Sequence, residues 1–309
     1  MPSAAELKEE ILRLKEERSA VILAHNYQIP DIQDVADFLG DSLALAIKAK
    51  ETEAKTIVFC GVDFMAETAA ILNPDKTVII PDTRAKCPLA GMVDAGGLKE
   101  LKEKYPDAAV VSYVNTTAET KALSDYCCTS ANAVEVVAAV PNKKVIFTPD
   151  RNLGAYVKRF VKDKEIILWP GFCATHDALT ADDFLRLKKL HPDADLMIHP
   201  ECRPEVIDIA DYVFSTGGML KHARSSPKKE FIVGTEKDMA YRLRKECPDK
   251  TFYAIEKAVC PTMKKITLEN ILKALENMGP VVKIPEDIAE KARLPIERMI
   301  EIGRGSRTG

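Results

Sequence analysis

The sequence predicts an α/β protein made of three homologous αβα (Rossmann-like) units, each with a four-stranded parallel sheet, in a pseudo-threefold arrangement. Three observations carry this. A short motif recurs: "VADFLGDS" (35–42), "LSDYCCTS" (123–130) and "IADYVFST" (209–216) put Asp37, Asp125 and Asp211 in one register, ending in Ser42, Ser130 and Thr216. The strand-like runs "TIVFCG", "KVIFTP" and "EFIVGT" begin at Thr56, Lys144 and Glu230, and both series step by 88 and then 86 residues. Within each copy, short Val/Ile-rich runs alternate with stretches of helical period, the grammar of parallel βα units.

In chain order, "MPSAAELKEEILRLKEERSAVILAH" opens as a charged amphipathic helix running into an apolar strand, without the apolar core of a signal peptide. The first unit then reads as strands near "AVILAH", "DFLG", "TIVFC" and "TVIIP", with helices at "SLALAIKAKE" and "DFMAETAAIL" between them. The second and third units repeat this order. The expected boundaries are 1–87, 88–173 and 174–261. The tail from Thr262 begins a fourth unit, with helices at "TLENILKALENM" and "PEDIAEKARLPIERMIEIG" that pack back on the body, and "RGSRTG" reads as a frayed end.

Composition narrows the function. The 309 residues are 46% hydrophobic, enough for a large core, and 44 basic against 47 acidic residues give a net charge of −3 with no basic stripe for nucleic acid. No run approaches the length of a membrane span, so a soluble cytoplasmic protein is expected, with no nucleic-acid or membrane partner. In that compartment the eight cysteines stay reduced, and none forms a CxxC pair.

Three of those cysteines stand apart. The fourth strand of each unit runs into Cys87, Cys173 or Cys260, spaced 86 and 87 residues, and a helix cap (Asp94, Thr180, Thr267) follows seven residues later each time. Repeats drift except where each copy must supply something, so these three read as metal ligands brought together by threefold packing. Cys60, Cys127, Cys128, Cys202 and Cys247 have no counterparts and read as small buried residues. Three thiolates suit zinc with an open site or a [4Fe–4S] cluster with one iron lacking a protein ligand. His176, at Cys-x-x-His spacing, can serve as a fourth ligand; otherwise the open position is a Lewis acid for substrate.

The first strand of each unit ends in "HNY" (25–27), "YVN" (113–115) or "HPE" (199–201). Alternation on a strand pairs His25 with Tyr27, Tyr113 with Asn115 and His199 with Glu201 at the C-terminal edge of a parallel sheet, where such sheets bind ligands. Ser42, Ser130 and the Ser215–Thr216 pair each precede a helix, where a hydroxyl and free N–H groups can cap it or hold an anion. A substrate, or two, with carboxylates or a phosphate would suit three such places.

The segments "AHNYQIPDIQDVADFLGDSLALA", "SYVNTTAETKALSDYCCTSANA", "PGFCATHDALT", "HPECRPEVIDIADYVFSTGGML" and "EKAVCPTM" together resemble the quinolinate synthase family of NAD biosynthesis, over nearly the whole chain. The resemblance implies three αβα domains around a central [4Fe–4S] cluster on Cys87, Cys173 and Cys260, and it selects iron–sulfur over zinc. It implies condensation of iminoaspartate with dihydroxyacetone phosphate to quinolinate, with loss of phosphate and two waters. Substrate contacts would come from His25, Ser42, Tyr113, Val114, Asn115, Ser130, His176, His199, Pro200, Glu201, Ser215 and Thr216. Glu201 is expected as general base, His199 as its neighbour for orientation or proton transfer, and Tyr27 as acid or base at the triose hydroxyl. An iminoaspartate-producing oxidase or dehydrogenase is the implied functional partner. Two other readings belong to the same scaffold: a zinc-dependent lyase, and a dicarboxylate-binding protein without turnover.

Overall fold

In the computed structural model the described residues, 2–305, form three four-stranded sheets of one topology. The first region holds α1 (Ala4–Glu17), β1 (Ala20–His25), α2 (Pro30–Val35), β2 (Phe38–Gly40), α3 (Ser42–Glu51), β3 (Thr56–Cys60), α4 (Asp63–Leu72) and β4 (Thr77–Ile79). The second holds α5 (Ala95–Lys104), β5 (Ala108–Tyr113), α6 (Ala118–Ala122), β6 (Tyr126–Cys128), α7 (Ala133–Ala139), β7 (Lys144–Thr148), α8 (Arg151–Val157) and β8 (Glu165–Leu168). The third holds α9 (Ala174–Asp177), α10 (Ala181–Leu190), β9 (Asp195–Ile198), α11 (Pro204–Ile207), β10 (Tyr212–Val213), α12 (Thr216–Ser225), β11 (Glu230–Gly234), α13 (Met239–Glu246) and β12 (Thr251–Ala254). The tail adds α14 (Leu268–Asn277) and α15 (Glu286–Gly305).

The strand orders are β2-β1-β3-β4, β6-β5-β7-β8 and β10-β9-β11-β12, with every named pair parallel. The central strands β3, β5 and β9 are buried along their whole length, as apolar strands covered on both faces must be. The recurring aspartates have a structural reason. Asp37, Asp125 and Asp211 each accept the backbone N–H of the unit's first strand (Ile22, Val110, Leu196), all at 2.8 Å. Each returns its own N–H to that residue's carbonyl, at 2.9, 2.9 and 3.1 Å. Two bonds per copy suture the start of the second strand to the first and set its register.

Helix α1 starts at a capping box: Ser3 Oγ accepts the Glu6 N–H and the Glu6 carboxylate accepts the Ser3 N–H. Its apolar residues Leu7, Ile11 and Leu14 share one buried face. The caps Asp94, Thr180 and Thr267 stand where the spacing places them, at the starts of α5, α10 and α14. The tail returns to the body. Val282 N–H donates to Val78 O along the free edge of β4, α14 packs on α1, and α15 lies across α6 and β6. Of "RGSRTG", Arg304 and Gly305 continue α15, and 306–309 lie outside the described residues. Among the described residues no helix is long and apolar enough to cross a membrane.

Candidate active site

The C-terminal ends of the three sheets face one cavity. It is lined by His25, Tyr27, Ser42, Cys87, Tyr113, Asn115, Ser130, Cys173, His176, His199, Glu201, Thr216 and Cys260, together with Asp41, Thr175, Thr262 and apolar neighbours. Three predicted residues stand outside it. Val114 lines a small adjoining space with Ser42 and Phe64, while Pro200 and Ser215 line another with Ser130.

Local geometry corrects two sequence readings. The strands end at His25, Tyr113 and Ile198, so Tyr27, Asn115 and the whole of His199–Glu201 sit past the pleat. In the first and third units the pairing comes from a turn: His25 Nδ1 accepts the Tyr27 N–H at 3.2 Å, and His199 Nδ1 accepts the Glu201 N–H at 3.4 Å. Nor are Ser42 and Thr216 caps. Asp41 and Ser215 cap α3 and α12, so the next residue's hydroxyl is left to face the cavity. Before α7, Asn132 accepts from the Thr129 N–H and hydroxyl, and Ser130 Oγ lies 3.2 Å from His199 Nε2.

A hydrogen-bond chain crosses the floor of the site. Tyr27 Oη meets Thr235 Oγ1, Thr235 Oγ1 lies 2.8 Å from His176 Nε2, and His176 Nδ1 lies 2.7 Å from Glu201 Oε2. The consistent assignment has Tyr27 donating to Thr235, Thr235 donating to His176, and the His176 Nδ1–H donating to Glu201. With both ring nitrogens engaged, His176 has no lone pair left for a metal. The Cys173 sulfur, a His176 nitrogen and a Glu201 oxygen lie within 4.8 Å of one another, so His176 would join a metal here only by giving up its bond to Glu201 or Thr235.

Burial sets the protonation states. It brings the His25 and His199 imidazoles down to about 3, which leaves both neutral. Burial and then the Glu201 charge push the Tyr27 and Tyr113 phenols well up, so both remain donors. Burial alone would also raise Glu201; the His176, His199 and Tyr113 contacts outweigh it and bring the carboxyl down to about 2. The site thus sets the ionised Glu201 beside neutral imidazoles and protonated phenols. Asn115 Oδ1 is buried and has no partner.

The donor set fits a cationic guest. All three repeat cysteines are free thiols that line the cavity, and burial, other cavity thiols and Glu201 push the Cys87 and Cys173 thiols up. No lysine or arginine is among the lining residues to offset a thiolate. Clustered thiols beside a buried carboxylate without a cation are the surroundings that a metal centre satisfies.

Two kinds of residue escaped the sequence reading. Thr235 has no counterpart, because the equivalent positions hold Gly61 and Pro149. Asp63, Asp150 and Glu236 do recur, 87 and 86 residues apart and 23 or 24 before each cysteine, and that spacing was the available signal.

Comparison with known proteins agrees with this geometry. Residues 9–301 match the family described as Quinolinate synthetase A protein. A Thermodesulfovibrio yellowstonii protein named quinolinate synthase is 56% identical over 295 residues, 95% of this chain and 97% of its own. Relatives of the same name from Methanoregula boonei (54% identical, 98% of this chain and all of theirs) and Pelobacter propionicus (52%, 96% and 98%) match at similar length. By matched length and identity, this chain belongs to the quinolinate synthetase A protein family.

Proposed function

We propose that this enzyme makes quinolinate by condensing iminoaspartate with dihydroxyacetone phosphate, releasing one phosphate and two waters. The observation that carries the reading is the convergence of Cys87, Cys173 and Cys260 on the cavity that also holds Tyr27, Tyr113, His199 and Glu201. Those cysteines would hold a [4Fe–4S] group, which when bound supplies a Lewis acid for a substrate carboxylate or hydroxyl. The remaining roles fall to the chain's own side chains.

Glu201, ionised and in contact with His176, is the general base. The neutral His199 ring orients it and holds Ser130. Tyr27, protonated and joined to Glu201 through Thr235 and His176, donates a proton at a departing hydroxyl. The proton that Glu201 takes from substrate returns to Tyr27 by a reversed relay, Glu201 to His176 Nδ1, His176 Nε2 to Thr235 and Thr235 to the Tyr27 oxygen. Ser42 and Thr216, with the free N–H groups at the starts of α3 and α12, bind carboxylate and phosphate oxygens, which suits a cavity without lysine or arginine. The unpartnered Asn115 Oδ1 accepts from the substrate imine or hydroxyl. His25 and Tyr113 supply further hydrogen bonds; Val114, Pro200 and Ser215 shape the walls through backbone and helix cap. The homologous units are taken as 1–87, 88–173 and 174–261, working in the cytoplasm beside an oxidase or dehydrogenase that supplies iminoaspartate.

The test is anaerobic purification, followed by iron, sulfide and zinc analysis, an absorption spectrum and assay of quinolinate from the two substrates. Stoichiometric iron and sulfide with turnover are expected. A colourless zinc protein that turns over at full rate would sink the cluster, and a loaded protein that forms no quinolinate would sink the reaction.

A further inference from the structure

Each cysteine loop is held in the same way by a residue that the proposed chemistry does not use. The Cys87 N–H donates to Asp63 Oδ1 at 3.1 Å, the Cys173 N–H to Asp150 Oδ2 at 3.0 Å, and the Cys260 N–H to Glu236 Oε1 at 3.3 Å. A second bond accompanies each one. The N–H of Asp63, Arg151 or Lys237 donates to the carbonyl two residues before the cysteine (Ala85, Gly171, Ala258), at 2.8 Å in all three copies. Each loop is therefore clasped at two points, the cysteine N–H and the carbonyl two residues before it, always from the junction that follows the third strand of the unit.

The carboxylates are themselves fixed. Asp63 Oδ1 accepts the Phe64 N–H, Asp150 Oδ1 accepts the N–H groups of Asn152 and Leu153, and Glu236 accepts the Asp238 N–H and pairs with Lys264 at 2.8 Å. Asp150 and Glu236 are wholly buried. A buried carboxylate is costly unless its bonds are made, and three surface loops have cheaper anchors available. Use of one at this junction in every copy, with Asp in two and Glu in the third and one residue later in the first unit than in the others, indicates a demand for that acceptor rather than for a particular side chain.

We propose that Asp63, Asp150 and Glu236 are positioning residues, one per unit, that preset the three cysteine loops so that the thiols converge before any metal binds. The inference rests on the assignment of Cys87, Cys173 and Cys260 as ligands. Groups that orient metal ligands typically contribute about 10- to 100-fold in metal affinity or activity.

The test compares Asp63→Ala, Asp150→Ala and Glu236→Ala with Asp63→Asn, Asp150→Asn and Glu236→Gln, which keep a carbonyl acceptor. Each protein is reconstituted anaerobically with iron and sulfide. Iron release to a ferrous chelator is then timed, the paramagnetic resonance spectrum of the reduced protein is recorded, and the iron-free protein is melted. The Ala variants should release iron about 10- to 100-fold faster than the parent and show altered spectra. The amide variants should restore both properties, and the iron-free melts of the Asp63 variants should stay near the parent's, whereas Glu236→Ala should also lower the melt because it leaves Lys264 without that partner.

Ala variants that load and release iron as the parent does would overturn the inference. So would a release defect confined to Asp150→Ala together with a lowered melt, since loss of the α8 cap alone explains that. A parent whose iron content is unchanged by Cys173→Ala would instead remove the ligand assignment, and the inference with it.

Discussion

Replacing Glu201 by Gln keeps the size of the side chain and one acceptor oxygen but removes its negative charge. The carboxylate is 3% exposed and lies 2.7 Å from His176 Nδ1. If His176 takes up a proton as Tyr27 and Glu201 exchange theirs, Glu201 stabilises that imidazolium. At an effective dielectric constant of about 20, two unit charges at this separation interact by about 6 kcal/mol. At about 1.4 kcal/mol per decade, that caps the loss at a little over four decades of rate. Positioned acid–base groups usually contribute about 10²- to 10⁴-fold, so turnover in Glu201→Gln should fall by that order. Iron content should be unchanged. Glu205 is the control: it sits in the first turn of α11, 56% exposed beside Arg203, and Glu205→Gln should turn over normally. The assay is anaerobic quinolinate formation with iron measured on the same samples. Near-parental turnover in fully loaded Glu201→Gln would refute the assignment of general base.

Replacing Cys87, Cys173 or Cys260 by Ala should abolish the visible absorption of the reconstituted protein, whereas Ala at Cys60, Cys127, Cys128, Cys202 or Cys247 should keep it; iron analysis with the spectrum decides. Gly234→Ala should cost about 1–3 kcal/mol in urea unfolding, because the new Cβ would lie 2.1 Å from Ile198 Cδ1 and 2.9 Å from Met197 O. It should also lower turnover, since Gly234 O accepts the His199 N–H at 2.9 Å. Asp183, in the first turn of α10, is raised by burial and lowered more strongly by Lys257 and Thr180, to about 2. A depressed carboxyl stabilises the fold above its unfolded value near 3.9 and loses that contribution as pH falls through about 2. With Lys257 51% exposed, screening reduces the effect to about 1 kcal/mol. Asp183→Asn should therefore be destabilised at pH 7 and match the parent near pH 2 in urea titrations.

The parts of the fold legible in the sequence were those that every copy repeats. Strands β1, β3 and β4 fall where Val/Ile runs place them, β2 falls at the recurring "DFLG" motif, and the seven-residue step from cysteine to helix cap holds in all three units, since all depend on local pattern and spacing. The short helices α2, α9 and α11 have too few residues for a period to register. Asp63, Asp150 and Glu236 were hidden for another reason. At the starts of α4 and α8 the helix dipole and the cap explain Asp63 and Asp150, and Glu236 precedes the α13 cap; only the loop folded back over each gives the carboxylate its second purpose. The turn geometry of His25 and His199 was equally out of reach, because the chain leaves the pleat at a residue that alternation still counts as strand.

Repetition and chemistry divide the site between them. What the copies share is scaffold: the aspartate suture, the clasped loop and the cysteine. The residues proposed to move protons lie where they differ. Tyr27 comes from the first region, and His176 (in α9), Thr235 and Glu201 from the third; the places matching Thr235 hold Gly61 and Pro149, and those matching His176 hold Ala90 and Met263. No sheet alone contains the chain from Tyr27 to Glu201, so it exists only while the units are packed. Lys264 bridges one such boundary, donating to Tyr27 O and pairing with Glu236 and Asp238. A shift between the first and third regions would therefore break the Tyr27–Thr235 bond, while the Cys260 clasp, which lies wholly within the third, would survive. That separates the clasp on each cysteine loop, built within a single unit, from the convergence of the three thiols and the Tyr27-to-Glu201 chain, which both belong to the assembled three.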